Sequence, residues 1–357
     1  MRTMVFIRSS KFLHQSILLI TPSIILLLAF SIINMATEHV LLGQAAKLPV
    51  NSSSPIVSFT PVIIPSPGRP VELQVRVTTP VSGDSLPIIL LSHGQGPSNW
   101  LSSLQGYAPL AEFWAKHGFV VIQPTHLSSR TLGLQSPSGN EMYWRSRPED
   151  MLQILDHLDL VEAAVPGLKG RLDRSKVAGA GHSFGASTIS LLLGAKNTDP
   201  RDGSEFRPFE PRIKAGVIFG GTGNSGADMS ENGRKMVPFY GLDFSSMITP
   251  TLVVGGEDDV SPHLTNRDAS WHWDSYTHGP GPKDLLRVKG GHHGFGGISG
   301  WDAAECKDES PEMLGMVQRM SLAYLKSQLH EGDKSWEQAC GVLATLEGLG
   351  SVESKPH

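Results

Sequence analysis

The chain has 357 residues, 39% of them hydrophobic, and a net charge of −4 from 30 basic and 34 acidic side chains. That supports a sizeable core, in one large α/β domain or two small ones. With no basic stripe, repeat or long low-complexity segment, nucleic acid is not an expected partner.

At the N-terminus, Arg2, Arg8 and Lys11 precede an apolar run over 17–33, interrupted only by Thr21, Pro22, Ser23 and Ser31. As a helix it would span roughly 26 Å at ~1.5 Å per residue, slightly short of the ~30 Å bilayer core. Residues 1–46 therefore read as a signal peptide or a signal anchor, with Gly43-Gln44-Ala45 as a small-x-small cleavage site. The basic flank stays in the cytoplasm and the rest is expected to be exported, either released or attached to the membrane through residues 17–33. Residues 47–70 hold Pro49, Pro55, Pro61, Pro65, Pro67 and Pro70 and read as a linker, with a glycosylation sequon at Asn51-Ser52-Ser53 that matters in a eukaryote. The catalytic domain is expected over 71–345 and a flexible tail over 346–357.

Residues 71–78 alternate apolar and polar, an early strand. The solid apolar run 87–91 fits a strand buried on both faces, and it ends in Ser92-His93-Gly94-Gln95-Gly96. A helix over 104–117 and a strand over 119–122 follow, then a polar excursion over 127–146 holding Tyr143 and Trp144. Pro148 opens an amphipathic helix with Met151, Ile154, Leu155, Leu158 and Val161 on one face. Further strands are expected at 176–180, 215–219, 251–254 and 285–288, with helices over 186–195 and 311–329. This alternation points to one doubly wound, mostly parallel sheet with helices on both faces.

Between strand 176–180 and its helix stands Gly181-His182-Ser183-Phe184-Gly185. A serine in G-x-S-x-G on a strand-to-helix turn is a nucleophile elbow, the motif of α/β-hydrolases. The turn lifts the Ser183 hydroxyl above the sheet and aims the Phe184 N–H at a developing oxyanion. The glycine loop after the 87–91 strand would supply the Gln95 N–H as the second donor. Chance occurrence among 38 glycines is countered by the strand before and the helix after. A serine hydroxyl needs a histidine to take its proton and a carboxylate to orient that histidine. In this fold the order is Ser, acid, His, and the chain offers two doublets after strands: Asp258-Asp259 and His292-His293. Counting three from Gly256 gives Asp259 and from Gly255 gives Asp258, while His293 directly precedes Gly294. Asp259 and His293 are the preferred pair, with Asp258 and His292 as alternatives. His126, His182, His263, His272 and His278 are read as structural, no pair of them has metal-ligand spacing, and neither a metal nor a cofactor is expected.

Ser92-His93-Gly94, the elbow, the segment 255–264 and the segment 291–298 together resemble serine esterases of the dienelactone-hydrolase-like branch of α/β-hydrolases. That branch includes platelet-activating-factor acetylhydrolases, chlorophyllase-like proteins and bacterial polyester hydrolases. The match covers roughly 85–330. In such relatives the acid precedes x-Ser-Pro, as Asp259 does, and the histidine precedes x-x-Gly-Gly, as His293 does. Dienelactone hydrolases proper carry cysteine at the elbow, where this chain has serine. The resemblance implies hydrolysis of a small or lipid-like carboxylic ester through an acyl-enzyme. An amidase, thioesterase or peptidase would use the same groups, and a non-catalytic binding module on this fold is the rival from another class. Export to an oxidising compartment also suggests that Cys306 and Cys340, which flank the last expected helix, pair across 33 intervening residues.

Overall fold

The computed structural model describes residues 41–96, 100–300 and 309–355. The apolar run at 17–33 lies outside them, and so does Cys306, hence the Cys306–Cys340 pair. Among the described residues no helix is long and apolar enough to cross a membrane.

The strands in chain order are β1 (Ile56–Ile64), β2 (Leu73–Pro80), β3 (Leu86–Ser92), β4 (Val120–Pro124), β5 (Leu172–His182), β6 (Lys196–Thr198), β7 (Glu205–Phe206), β8 (Ile213–Phe219), β9 (Leu242–Asp243), β10 (Thr251–Gly256), β11 (Lys283–Val288) and β12 (Gly350–Ser354). Nine form one sheet in the order β1-β2-β4-β3-β5-β8-β10-β11-β12, and β7-β6-β9 form a small second sheet. The run from β4 to β11 is parallel throughout, while β1, β2 and β12 enter antiparallel. The helices are α1 (Ala108–Lys116), α2 (Ser146–Asp156), α3 (Leu158–Ala164), α4 (Phe184–Leu192), α5 (Glu231–Met236), α6 (Asp274–His278), α7 (Pro311–Leu329) and α8 (Ser335–Leu343).

Alternation along β3 sorts its side chains into two cores, as a period of two requires. Ile89 and Leu91 pack with Leu110 and Trp114 of α1 and with α7 and α8. Ile88 and Leu90 pack with α2, α3 and α4. Every residue of β3 is buried, as the solid apolar run predicts. Burying one such Leu or Ile contributes about 1.5–3 kcal/mol, and truncating it to Ala costs about 2–5 kcal/mol. The long helix α7 begins where expected: Pro311 occupies its first position and the Ser310 hydroxyl accepts the Met313 N–H at 3.2 Å. A parallel sheet covered on both faces by helices, with its elbow between β5 and α4, is the α/β-hydrolase arrangement.

Three boundaries differ from expectation. The stretch read as a linker contains β1, which pairs with β2 from Ile56↔Pro80 to Ile64↔Leu73; its prolines are accommodated because it is an edge strand with a register shift around Pro61. The stretch read as a tail contains β12, whose backbone pairs with β11 although its residues are mostly polar. The boundary at 46/47 does not fall in a gap either, since Ala45 and Leu48 are buried in the core beside α7.

Candidate active site

The parallel strands deliver their C-terminal ends to one rim, where ligands bind in such sheets. Past β3 come His93, Gly94 and Gln95; past β5, Ser183; past β8, Gly220; past β10, Asp259; past β11, His293. Ser183, Asp259, His293, Gln95 and Phe184 all line one cavity of about 860 Å³.

Ser183 sits at φ 56°, ψ −121°, a conformation disfavoured for any residue with a Cβ. Its N–H donates to Phe219 O at 2.9 Å, which ties the turn to β8. Glycines flank it because nothing else fits: a Cβ on Gly181 would lie 2.3 Å from Gly185 O, and one on Gly185 would lie 2.1 Å from Ser92 O. Among the described residues the Phe184 and Gln95 N–H groups donate to no protein acceptor. Gly94 packs against Ser183, its Cβ position only 3.3 Å from Ser183 Cβ.

Asp259 and His293 are brought together: Nδ1 lies 2.9 Å from Oδ2 and 3.1 Å from Oδ1. Gly220 makes the room, because a Cβ there would stand 3.0 Å from both Asp259 Oδ2 and His293 Nδ1. Asp259 is only 2% exposed. Burial works to raise its pKa, but the neighbouring His293 and His272 prevail and hold the carboxyl down to about 2. The alternatives are placed differently: His292 Nδ1 lies 3.0 Å from the backbone carbonyl of Asp258, and the Asp258 side chain is exposed.

His272 was read as structural, yet its Nε2 lies 3.4 Å from Asp259 Oδ1 and 3.1 Å from the Ser261 hydroxyl. Its Nδ1 donates to Gly221 O at 2.7 Å, which leaves Nε2 as an acceptor while the ring is neutral. Burial above all lowers its pKa. Ligand atoms of Asp259, His272 and His293 all lie within 4.8 Å of one another, a His/His/Asp donor set that sequence spacing did not disclose. In this structure those atoms serve the hydrogen bonds just described.

Behind the loop at 93–95 lies a second polar cluster that sequence reasoning missed. Arg147, fully buried on α2, donates to Ser128 Oγ at 2.7 Å, Thr188 Oγ1 at 2.9 Å and Ser92 Oγ at 3.2 Å, and also to His93 O. Its guanidinium stands 4.6 Å from the centre of the Phe184 ring, so one side chain touches both the 93–95 loop and the turn at Ser183. Asp150 accepts from Arg69 Nε at 2.9 Å and from His126 Nδ1 at 2.9 Å. The His126 N–H donates to His93 Nε2 at 3.1 Å, and the His126 ring accepts from Ser92 Oγ at 2.9 Å. Burial raises Asp150 to about 6 against the pull of Arg69 and Arg147, and lowers Arg147 to about 9.

The excursion at 127–146 reaches the cavity through Arg130 and Met142. Tyr143 and Trp144 turn inward instead, Trp144 stacking on Phe239 with ring centres 5.2 Å apart.

No protein-family model matches the chain. Over 159 residues it is 29% identical to platelet-activating factor acetylhydrolase of Cavia porcellus, an alignment covering 34% of this chain and 35% of that protein. The chain thus spans about a third of the length of the curated relative it matches. The likeness agrees with the broad esterase class that the motifs resemble and singles out no branch within it.

Proposed function

We propose that the chain is a serine carboxylic-ester hydrolase acting through an acyl-enzyme. The observation that carries this reading is the 2.9 Å Asp259–His293 pair opening on the same cavity as a strained serine. With Nδ1 engaged by Asp259, Nε2 is the His293 nitrogen that would act on the substrate side. That nitrogen takes the Ser183 proton as Oγ adds to the ester carbonyl. The oxyanion is held by the Phe184 and Gln95 N–H groups, each worth about 2.7–4 kcal/mol in sites of this kind. His293 returns the proton to the departing alcohol, then draws one from the water that attacks the acyl-enzyme, freeing the acid and Ser183. Asp259 stays ionised and steadies the imidazolium.

Met142, Phe184, Met229, Leu264 and Trp271 give the cavity a largely apolar wall, which favours an ester with a hydrophobic portion. The acetylhydrolase name of the relative favours a short acyl group on a lipid-like alcohol. A fluorophosphonate probe, with esters, thioesters and anilides of graded chain length, tests the reading. Labelling at Ser183 with ester turnover is expected. An unlabelled Ser183 with no ester turnover would end it, and faster anilide or thioester turnover would move it to the amidase or thioesterase side. We also propose export of the domain, on the strength of the basic-flanked run at 17–33. Recovery of the domain from cytosol after fractionation would refute that.

A further inference from the structure

The residue before the nucleophile holds a hydrogen-bond circuit that the hydrolytic steps leave unused. His182 ends β5 and is buried, on the strand face shared by Ala178 and Ala180. Its Nε2 lies 2.8 Å from the backbone oxygen of His293, and its Nδ1 lies 2.8 Å from the Tyr107 hydroxyl. That hydroxyl also accepts the Gly94 N–H at 2.9 Å.

The polarity of this circuit is determined. A carbonyl oxygen only accepts, so His182 Nε2 carries the proton. In the neutral ring Nδ1 is then an acceptor and takes the Tyr107 proton, while a phenol lone pair accepts the Gly94 N–H. Burial, followed by the nearby charge of His293, lowers the His182 pKa to about 3, so the ring is neutral across the working range. All three bonds are satisfied in one tautomer and in no other neutral state.

What the circuit joins gives it a purpose. Gly94 precedes Gln95, the proposed oxyanion donor; His293 is the proposed base; and His182 is bonded directly to Ser183. The packing is close as well: a Cβ on Gly94 would lie 3.0 Å from the Tyr107 hydroxyl and 3.4 Å from His182 Nδ1, and the His182 and His293 rings are centred 4.6 Å apart.

We propose that Tyr107 and His182 are positioning residues that clamp the oxyanion loop and the His293 loop at a fixed separation on either side of Ser183, through the Nε2-protonated tautomer of His182. The effect on rate rests on the esterase reading above, whereas the tautomer does not.

Tyr107→Phe keeps the buried ring and removes the hydroxyl from both Gly94 and His182. Its kcat is expected to fall about 10–100-fold with KM within about twofold, the pattern of misplaced groups in a site that still binds. His182→Gln, which retains an amide donor able to reach His293 O, should keep more kcat than His182→Ala. Nitrogen-15 NMR of the full chain, histidine-labelled, should show His182 protonated at Nε2 only, with no titration between pH 5 and 9. A wild-type kcat in Tyr107→Phe, equal losses in His182→Gln and His182→Ala, an Nδ1-protonated ring, or a titrating His182 would each overturn the proposal. Should Tyr107→Phe fail to fold, the His182 pair and the tautomer of the unmutated chain decide. If instead the esterase reading fails, the probe leaves Ser183 unlabelled while the NMR result still reports the circuit.

Discussion

Two buried carboxylates flank the active-site rim, and the protein shifts them in opposite directions. Asp259 and Asp150 are each 2% exposed, and burial is the largest influence on both. Asp259 lines the cavity and faces His293 and His272, which hold it down to about 2. Asp150 lies off the cavity, among the residues of α2, and burial raises it to about 6 despite its contact with Arg69. The stability windows have opposite signs. Asp259, with its folded value below the ordinary one, contributes stability that is full above about pH 4 and lost as the pH falls toward 2. Asp150, with its folded value above the ordinary one, keeps a proton that the unfolded chain has released, so stability declines as pH rises from about 4 to 6. The carboxylate bonded to His293 is thus kept charged, as the proposed base would require, while its counterpart anchors a loop.

The largest effects should come from the charged pair. Ser183→Ala or His293→Ala is expected to lower hydrolysis by about 10⁴-fold or more, with the circular dichroism spectrum unchanged. Asp259→Asn should lose a comparable factor, together with the stability that the ionised carboxylate contributes above about pH 4, and neighbouring Asp258→Asn should stay near wild type. Steady-state kinetics on Asp258→Asn, Asp259→Asn, His292→Ala and His293→Ala separates the doublets: if Asp258→Asn or His292→Ala is the silent enzyme, the pair at 2.9 Å is not the working one.

The other carboxylate should behave the opposite way. Asp150→Leu strands Arg69 and Arg147 in the interior, and breaking a buried pair of this kind costs about 3–5 kcal/mol. Urea unfolding should register that loss, with activity per folded molecule reduced far less than in Asp259→Asn. Equal stability of the two variants would erase the contrast. Arg147→Lys is milder: it keeps the charge and loses the planar fork that reaches Ser92, Ser128 and Thr188 together. A stability loss of about 1–3 kcal/mol and a fall in kcat with KM nearly constant are expected. A change in KM alone would show that Arg147 does not act through the 93–95 loop and the turn at Ser183.

The sheet interior and the elbow were legible because their signals are local: an unbroken apolar run for β3, a glycine-flanked serine between strand and helix, a proline and serine at the start of α7. Strand β1 was hidden by Pro61 and the prolines flanking the strand, and β12 by its polar residues, since both draw on backbone pairing at sheet edges more than on side-chain burial. Helix α8 passed unread although Trp336, Ala339, Cys340 and Leu343 repeat at helical spacing. Two of the missed side chains had signals. Alternation from Ala178 through Ala180 puts His182 on a buried face, and Arg147 stands four residues before Met151 on the apolar stripe of α2, where a cation needs partners. The Asp259–His272 approach had none, because a thirteen-residue separation with no regular element across it leaves the meeting to the tertiary fold.

Lys283 supplies the remaining test, a buried cation with no carboxylate bonded to it. It opens β11 at the end of the strand away from the rim, fully buried, and its Nζ donates to Thr249 O at 2.8 Å and Pro280 O at 3.0 Å. Burial, with the charge of Lys355 second, lowers its pKa to about 7. A neutral amine keeps two N–H donors, enough for these two carbonyls after the proton leaves, and Pro282 O, 3.5 Å from Nζ, still accepts the Thr251 N–H. Between about pH 7 and 10.5 the unfolded chain therefore binds the proton that the folded chain has lost, and stability rises with pH across that window. In Lys283→Met this contribution is absent, while every other titrating group is retained. Urea unfolding at pH 7, 8.5 and 10 should show the stability gap between wild type and Lys283→Met moving toward wild type as pH rises, by about 1 kcal/mol or more. A gap that stays constant with pH would mean that Lys283 remains an ammonium ion held by its carbonyls, and that burial without a counter-charge is too weak to set the shifts compared above.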